Sequence, residues 1–143
     1  MPRILPATPV PQGVSSSHIR TARGKYSFAV QGGTQGTIAL MGSTVIPSGA
    51  LVLGGYLKVG TTLTSGGSAT VAVQVEGAND LVTATAYGSS PWSTTGVKAV
   101  VPVFTAATFI TTTAARDISI VIATADLTAG IFDVVLFYLD PLA

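Results

Sequence analysis

Ala69-Thr70-Val71-Ala72-Val73-Gln74-Val75-Glu76 is the stretch that decides the fold class. Ala69, Val71, Val73 and Val75 alternate with Thr70, Ala72, Gln74 and Glu76, the period of two that marks a half-buried β-strand. Working outward, the same alternation returns between turn signals. Upstream, Thr64-Ser65-Gly66-Gly67 reads as a hairpin tip, and residues 51–59 before it as a strand whose Gly54-Gly55 pair predicts a bulge or a close backbone approach. Ile46-Pro47-Ser48-Gly49 is a turn, because proline presets φ and glycine accepts positive φ. Residues 37–41 read as a further strand, and Tyr26, Phe28 and Val30 alternate with Ser27, Ala29 and Gln31 up to Gly32-Gly33.

Downstream, the Gly77-Ala78-Asn79-Asp80 turn leads into residues 81–87, and a loop follows over 88–96. Residues 97–104 and 109–113 are shorter strand candidates. Ile118, Ile120 and Ile122 alternate again, and residues 131–139 form a nearly continuous apolar run around Asp133, expected as a buried terminal strand. No long segment has helical period; residues 111–116 allow one helical turn at most, and their threonines disfavour even that. The expectation is an all-β chain, a single β-sandwich or jelly-roll-like domain of about eight strands over residues 25–143. Residues 1–24 carry four prolines and a Ser15-Ser16-Ser17 run. They are expected as an extended N-terminal arm, able to span up to about 80 Å.

Composition narrows the function. Only 9% of the 143 residues are charged while 48% are apolar, so much of the surface is expected to be covered by partners or by copies of the same chain. There are no cysteines, which removes disulfides, thiolate zinc sites and cysteine nucleophiles. No continuous apolar run is long enough to span a bilayer, and prolines at positions 6, 9 and 11 break any signal-peptide core. Residues 1–75 hold five basic residues and no acidic one, whereas residues 76–143 hold Lys98 and Arg116 against six carboxylates. Such polarity suits docking of the basic end on an acidic surface.

Catalytic chemistry has few residues to work with. His18 is the only histidine and lies in the expected arm, so no nucleophile–base pair is nominated. Glu76, Asn79 and Asp80 loosely suggest calcium, but an ordinary Asx turn explains them better. Asp126, Asp133 and Asp140 recur every seven residues, a spacing with no catalytic meaning in strands, and solvated rim positions are expected. The glycine pairs lack a phosphate-binding pattern. The chain is therefore expected to be no enzyme and to need no cofactor or metal. Binding is expected from Arg3, His18, Arg20, Arg23 and Lys25, together with Trp92, the sole tryptophan, which serves either as an interface anchor or as a cap on the core. The basic residues are too sparse for a nucleic-acid footprint, which leaves an acidic protein surface as their partner.

The phrases YSFAVQGG, VIPSGALVLGGYLKV, LTSGGSATVAVQVEGANDLVTA, SPWSTTG and TTAARDISIVIATADLTAGIFDVVLFY resemble small capsid-associated proteins of tailed bacteriophages, in particular head decoration or cement proteins. The resemblance covers residues 25–139 and carries no catalytic signature. It implies a β-rich homotrimer on the capsid exterior that bridges major capsid protein subunits, gripping them with its N-terminal arm and touching neither nucleic acid nor membrane. An adhesion or tail-fibre module binding a host glycan or protein is the alternative, weakened because most aromatics lie in expected strands. A shell subunit of a small jelly-roll virus is a third reading.

Overall fold

The computed structural model describes residues 18–102, 104 and 109–140. Nine strands and one helical turn follow in order: β1 (Ile19–Ser27), α1 (Phe28–Gln31), β2 (Gly36–Ala39), β3 (Leu51–Ser65), β4 (Thr70–Gln74), β5 (Val82–Ala86), β6 (Gly96–Val100), β7 (Ile110–Thr111), β8 (Ser119–Ala123) and β9 (Leu127–Leu139). One sheet has the order β1-β9-β3-β6, with β7 also on β3, and the other β2-β8-β4-β5, every pairing antiparallel. With β7 set aside, the first of the eight remaining strands pairs with the last, the second with the seventh, the third with the sixth and the fourth with the fifth. Folding one long hairpin over into two facing sheets produces this nesting. The expected all-β sandwich is what the chain forms.

The deciding stretch became β4, an interior strand of its sheet with Val71 and Val73 fully buried. Ile120 and Ile122 of β8 pack beside them, and Tyr26, Leu57, Val59, Phe132, Val134 and Leu136 face them from the first sheet. The apolar character of residues 131–139 follows from position: β9 lies between β1 and β3 for most of its length, and even Val135, on its outer face, is 6% exposed. Gly54-Gly55 meets both expectations. The β3–β9 register shifts between Val52 and Gly54, where φ is +137°, and a Cβ on Gly55 would lie 2.0 Å from the Val135 carbonyl oxygen.

Two expectations need correction. The sheet begins at Ile19, so residues 19–24 of the expected arm belong to β1, while residues 1–17 lie outside the described residues. The alternation is present, but Ala22 and Gly24 fill the inward positions and conceal it; a Cβ on Gly24 would come within 2.7 Å of Leu40 Cβ. The strand through Tyr26 stops at Ser27. Residues 28–31 coil into one turn closed by the Gly32 amide on the Phe28 carbonyl, the Tyr26 hydroxyl donates to the Gly32 carbonyl, and Val30 is left 70% exposed.

Candidate docking surface

The structure separates the residues expected to bind. Arg3 lies outside the described residues. His18 is exposed at the mouth of β1. Arg20 is ion-paired to Asp140 through Nε and Oδ2, and this carboxylate raises the guanidinium pKa. Trp92 is fully buried, with its ring centroid 5.0 Å from Phe132 and its indole N–H donating to the Val71 carbonyl at 3.3 Å. Of the two readings of Trp92, the cap on the core is the one its burial fits. Its loop is polar in sequence, but the amides of Trp92 and Ser93 close a turn on the Ser89 carbonyl and fold the indole inward.

Arg23 and Lys25 do come together, on the outer face of the first sheet. Antiparallel register sets two rows across three strands: Arg23–Val135–Tyr56 and Lys25–Asp133–Lys58. Directly opposed side chains stand roughly 4.5–5.5 Å apart at Cβ, so the strand order itself gathers these groups. The β2–β3 connection closes the free edge of β1. Lys25 and Met41 exchange backbone hydrogen bonds at 3.0 and 2.8 Å, and the Thr44 amide donates to the Arg23 carbonyl. Gly42, at φ +59°, allows the chain to turn along this edge. The result is a recess of about 360 Å³ with Val135 in its floor and exposed Arg23, Lys25, Lys58 and Asp133 around it. Beyond Tyr56 and Lys58 the rows continue into Ala99 and Val97 of β6, where Val97 is 64% exposed.

Tyr56, Lys58 and Asp133 escaped the sequence reading. Alternation shows that Tyr56 and Lys58 point away from Leu57 and Val59, but that they meet Asp133 and Lys25 depends on pairings between distant strands.

Three carboxylates elsewhere hold backbone or side-chain donors in place. Asp80 accepts the amides of Val75, Glu76 and Gly77 at 2.8–3.0 Å, reaching back across the turn so that both its oxygens are taken up by the backbone. Asp126 accepts the Gln35 amide. Glu76 takes two contacts from the Arg116 guanidinium, at 2.8 and 3.1 Å, plus the hydroxyl and amide of Thr113. These donors, Arg116 first, pull the Glu76 pKa down to about 2. The clamp ties the end of β4 to the β7–β8 connection. Among the described residues no group of three His, Cys, Asp or Glu converges on a metal position, and no helix is long and apolar enough to cross a membrane.

Neither a protein-family model nor a curated sequence matches the chain. Its fold is similar to chains in three solved structures. In the cyanophage Pam1 capsid asymmetric unit the TM-score is 0.61 at 19% identity, over 99% of this chain and 100% of that one. In the capsid of Ralstonia phage GP4 it is 0.61 at 20% identity, over 96% and 93%. In the acidic stable capsid structure of Helicobacter pylori bacteriophage KHP30 it is 0.58 at 16%, over 87% and 90%. At these identities the likeness is one of fold.

Proposed function

We propose that this chain is a structural virion protein that binds the outside of a phage capsid and stabilises it by bridging major capsid subunits, as a decoration or cement protein does. The observation that carries the reading is the fold likeness itself, which spans almost the whole of this chain and of each of three chains from phage capsid structures. The nested strand pairing supports reading the sandwich as a jelly roll. The sparse charge and the unpaired outer edges of β5 and β6, with Val97 and Val101 64% and 74% exposed, support self-association as a homotrimer. In such an assembly several weak attachments act at high effective concentration, and each bound copy favours the folded shell by mass action. The glycan-binding alternative loses its candidate anchor, because Trp92 is enclosed.

The test removes residues 1–17, upstream of β1, and measures mass in solution and attachment to purified shells lacking the protein. The full chain is expected at three times 14.4 kDa and on the shells. Truncation is expected to keep the trimer and weaken attachment at least tenfold. Attachment that survives truncation removes the arm from the reading; a full chain that ignores the shells removes the reading itself.

A further inference from the structure

Six basic residues lie within the described part of the chain, and they divide evenly. Arg20 is paired to Asp140, Arg116 to Glu76, and Lys98 donates to the carbonyls of Thr94 and Thr95. Arg23, Lys25 and Lys58 make no ion pair among the described residues, and all three line the recess on the β1-β9-β3 face. We propose that this recess is the docking site for an acidic segment of a partner protein, whose carboxylates enter between Arg23, Lys25 and Lys58.

Three features of the recess specify that occupant. Three cations around the single carboxylate of Asp133 leave an excess of positive charge in the free chain, which an incoming acidic group neutralises. The floor is apolar, with Val135 6% exposed and Tyr56 and Met41 beside it. A carboxylate seated there is partly shielded from water, where an ion pair is stronger than on an open surface. Asp133 stands between Lys25 and Lys58 in the register, so that row reads plus, minus, plus. A protein segment matches that row with two acidic groups flanking a donor or cation. A nucleic-acid backbone does not, because its uniform phosphates would face Asp133, and a recess of about 360 Å³ admits side chains and no duplex.

Placing the contact on a rigid sheet has its own consequence. The cations are held by strand register before the partner arrives, so little backbone order is lost on binding. Because they are exposed, the contact is steered by charge and weakened by salt. The inference deepens the capsid reading and rests on it for the identity of the partner; the recess chemistry is separable from it.

The experiment has two arms and uses the full chain. In the first, a labelled Asp/Glu-rich peptide interspersed with lysine, its Asn/Gln counterpart and a short DNA duplex are titrated against wild type, the Lys25→Glu/Lys58→Glu double variant and Asp133→Asn, with folding checked by thermal melting. The acidic peptide is expected to bind wild type at least tenfold more tightly than the neutral peptide or DNA. The double variant is expected to lose that preference, and raising salt from 50 to 300 mM to weaken it severalfold. Asp133→Asn reports whether added positive charge at the recess is felt, through a changed affinity for the acidic peptide. Equal binding by wild type and the double variant, no response to Asp133→Asn, or a preference for DNA overturns the proposal.

The second arm repeats shell attachment with the double variant, expected to fall at least tenfold. Shells that capture wild type and double variant alike overturn the recess while leaving the capsid reading intact. Shells that capture neither, alongside a recess-dependent acidic peptide, overturn the capsid reading and support the recess.

Discussion

Replacing Trp92 with alanine is expected to be the most damaging single truncation in the molecule. The side chain is fully buried and its ring stands 5.0 Å from Phe132, which in turn lies 5.3 Å from Tyr26. An enclosed aromatic side chain removes about 150–250 Å² from water, which at about 25 cal/mol per Å² corresponds to about 4–6 kcal/mol. Measured Trp-to-Ala truncations in cores cluster at about 3–5 kcal/mol. About 4 kcal/mol is a large part of the stability of about 5–15 kcal/mol typical of one domain. With a urea slope of about 2 kcal/mol per molar, the midpoint falls by about 2 M. Trp92→Phe keeps most of the buried area and loses the indole bond to the Val71 carbonyl, so it should cost about 1–2 kcal/mol. The assay is urea unfolding followed by far-UV circular dichroism, since the variants lack the only tryptophan. An alanine variant within about 1 kcal/mol of wild type would falsify the enclosed position and restore Trp92 as a surface anchor.

Three further outcomes follow from particular contacts. Glu76 is held at about 2 by Arg116 and Thr113, below the unfolded carboxylate value of about 4.3. Its contribution is therefore complete above that unfolded value and fades as pH falls from there through about 2. The gap in melting temperature between wild type and Glu76→Gln should be fully open at pH 6 and mostly closed by pH 2, and a pH-independent gap contradicts the ion pair. Gly55→Ala forces a Cβ to within 2.0 Å of the Val135 carbonyl oxygen and 2.9 Å of Leu136 Cα, backbone on both counts. The central β3–β9 pair must part, costing about 3 kcal/mol or more, read as a lowered urea midpoint or as loss of soluble protein; wild-type stability rejects the close approach. Thr112, 2% exposed, donates to the Pro47 carbonyl at 2.6 Å and accepts the Ala50 amide at 2.9 Å. Thr112→Val keeps the shape and leaves the Ala50 amide and the Pro47 carbonyl only their long mutual contact at 3.4 Å, so calorimetry should show a loss of about 1–3 kcal/mol.

What could be read from the sequence, and what could not, follows from range. Residues 69–76 and 118–123 announce strands because their alternation is local, and the apolar run around Asp133 announces a buried one because its length exceeds what one buried face requires. The beginning of β1 is concealed, since Ala22 and Gly24 occupy its inward positions and carry no hydropathic contrast with their neighbours. Trp92 stays open between anchor and cap in the sequence, because the turn that buries it is built from polar residues around Ser89. The recess is legible only in halves: Arg23 and Lys25 stand out as basic residues, and parity turns Tyr56 and Lys58 outward. Lys25, Asp133 and Lys58 share a row only because β9 inserts between β1 and β3.

That same insertion of β9 makes the domain mechanically directional. β1 is hydrogen-bonded along its whole length, from Ile19 opposite Leu139 to Ser27 opposite Ile131. Tension applied at His18 and balanced at the opposite end of the sandwich runs along the strand axis and strains all of those bonds at once. Tension applied at His18 and balanced at Asp140 starts at the Arg20–Asp140 pair and opens the bonds one after another, like a zip. Force spectroscopy in the two attachment geometries should therefore give a markedly higher rupture force in the first, and equal forces would show that β1 does not carry the load. A domain wired in this way resists being dragged sideways across a surface far better than it resists being peeled away from it at one corner.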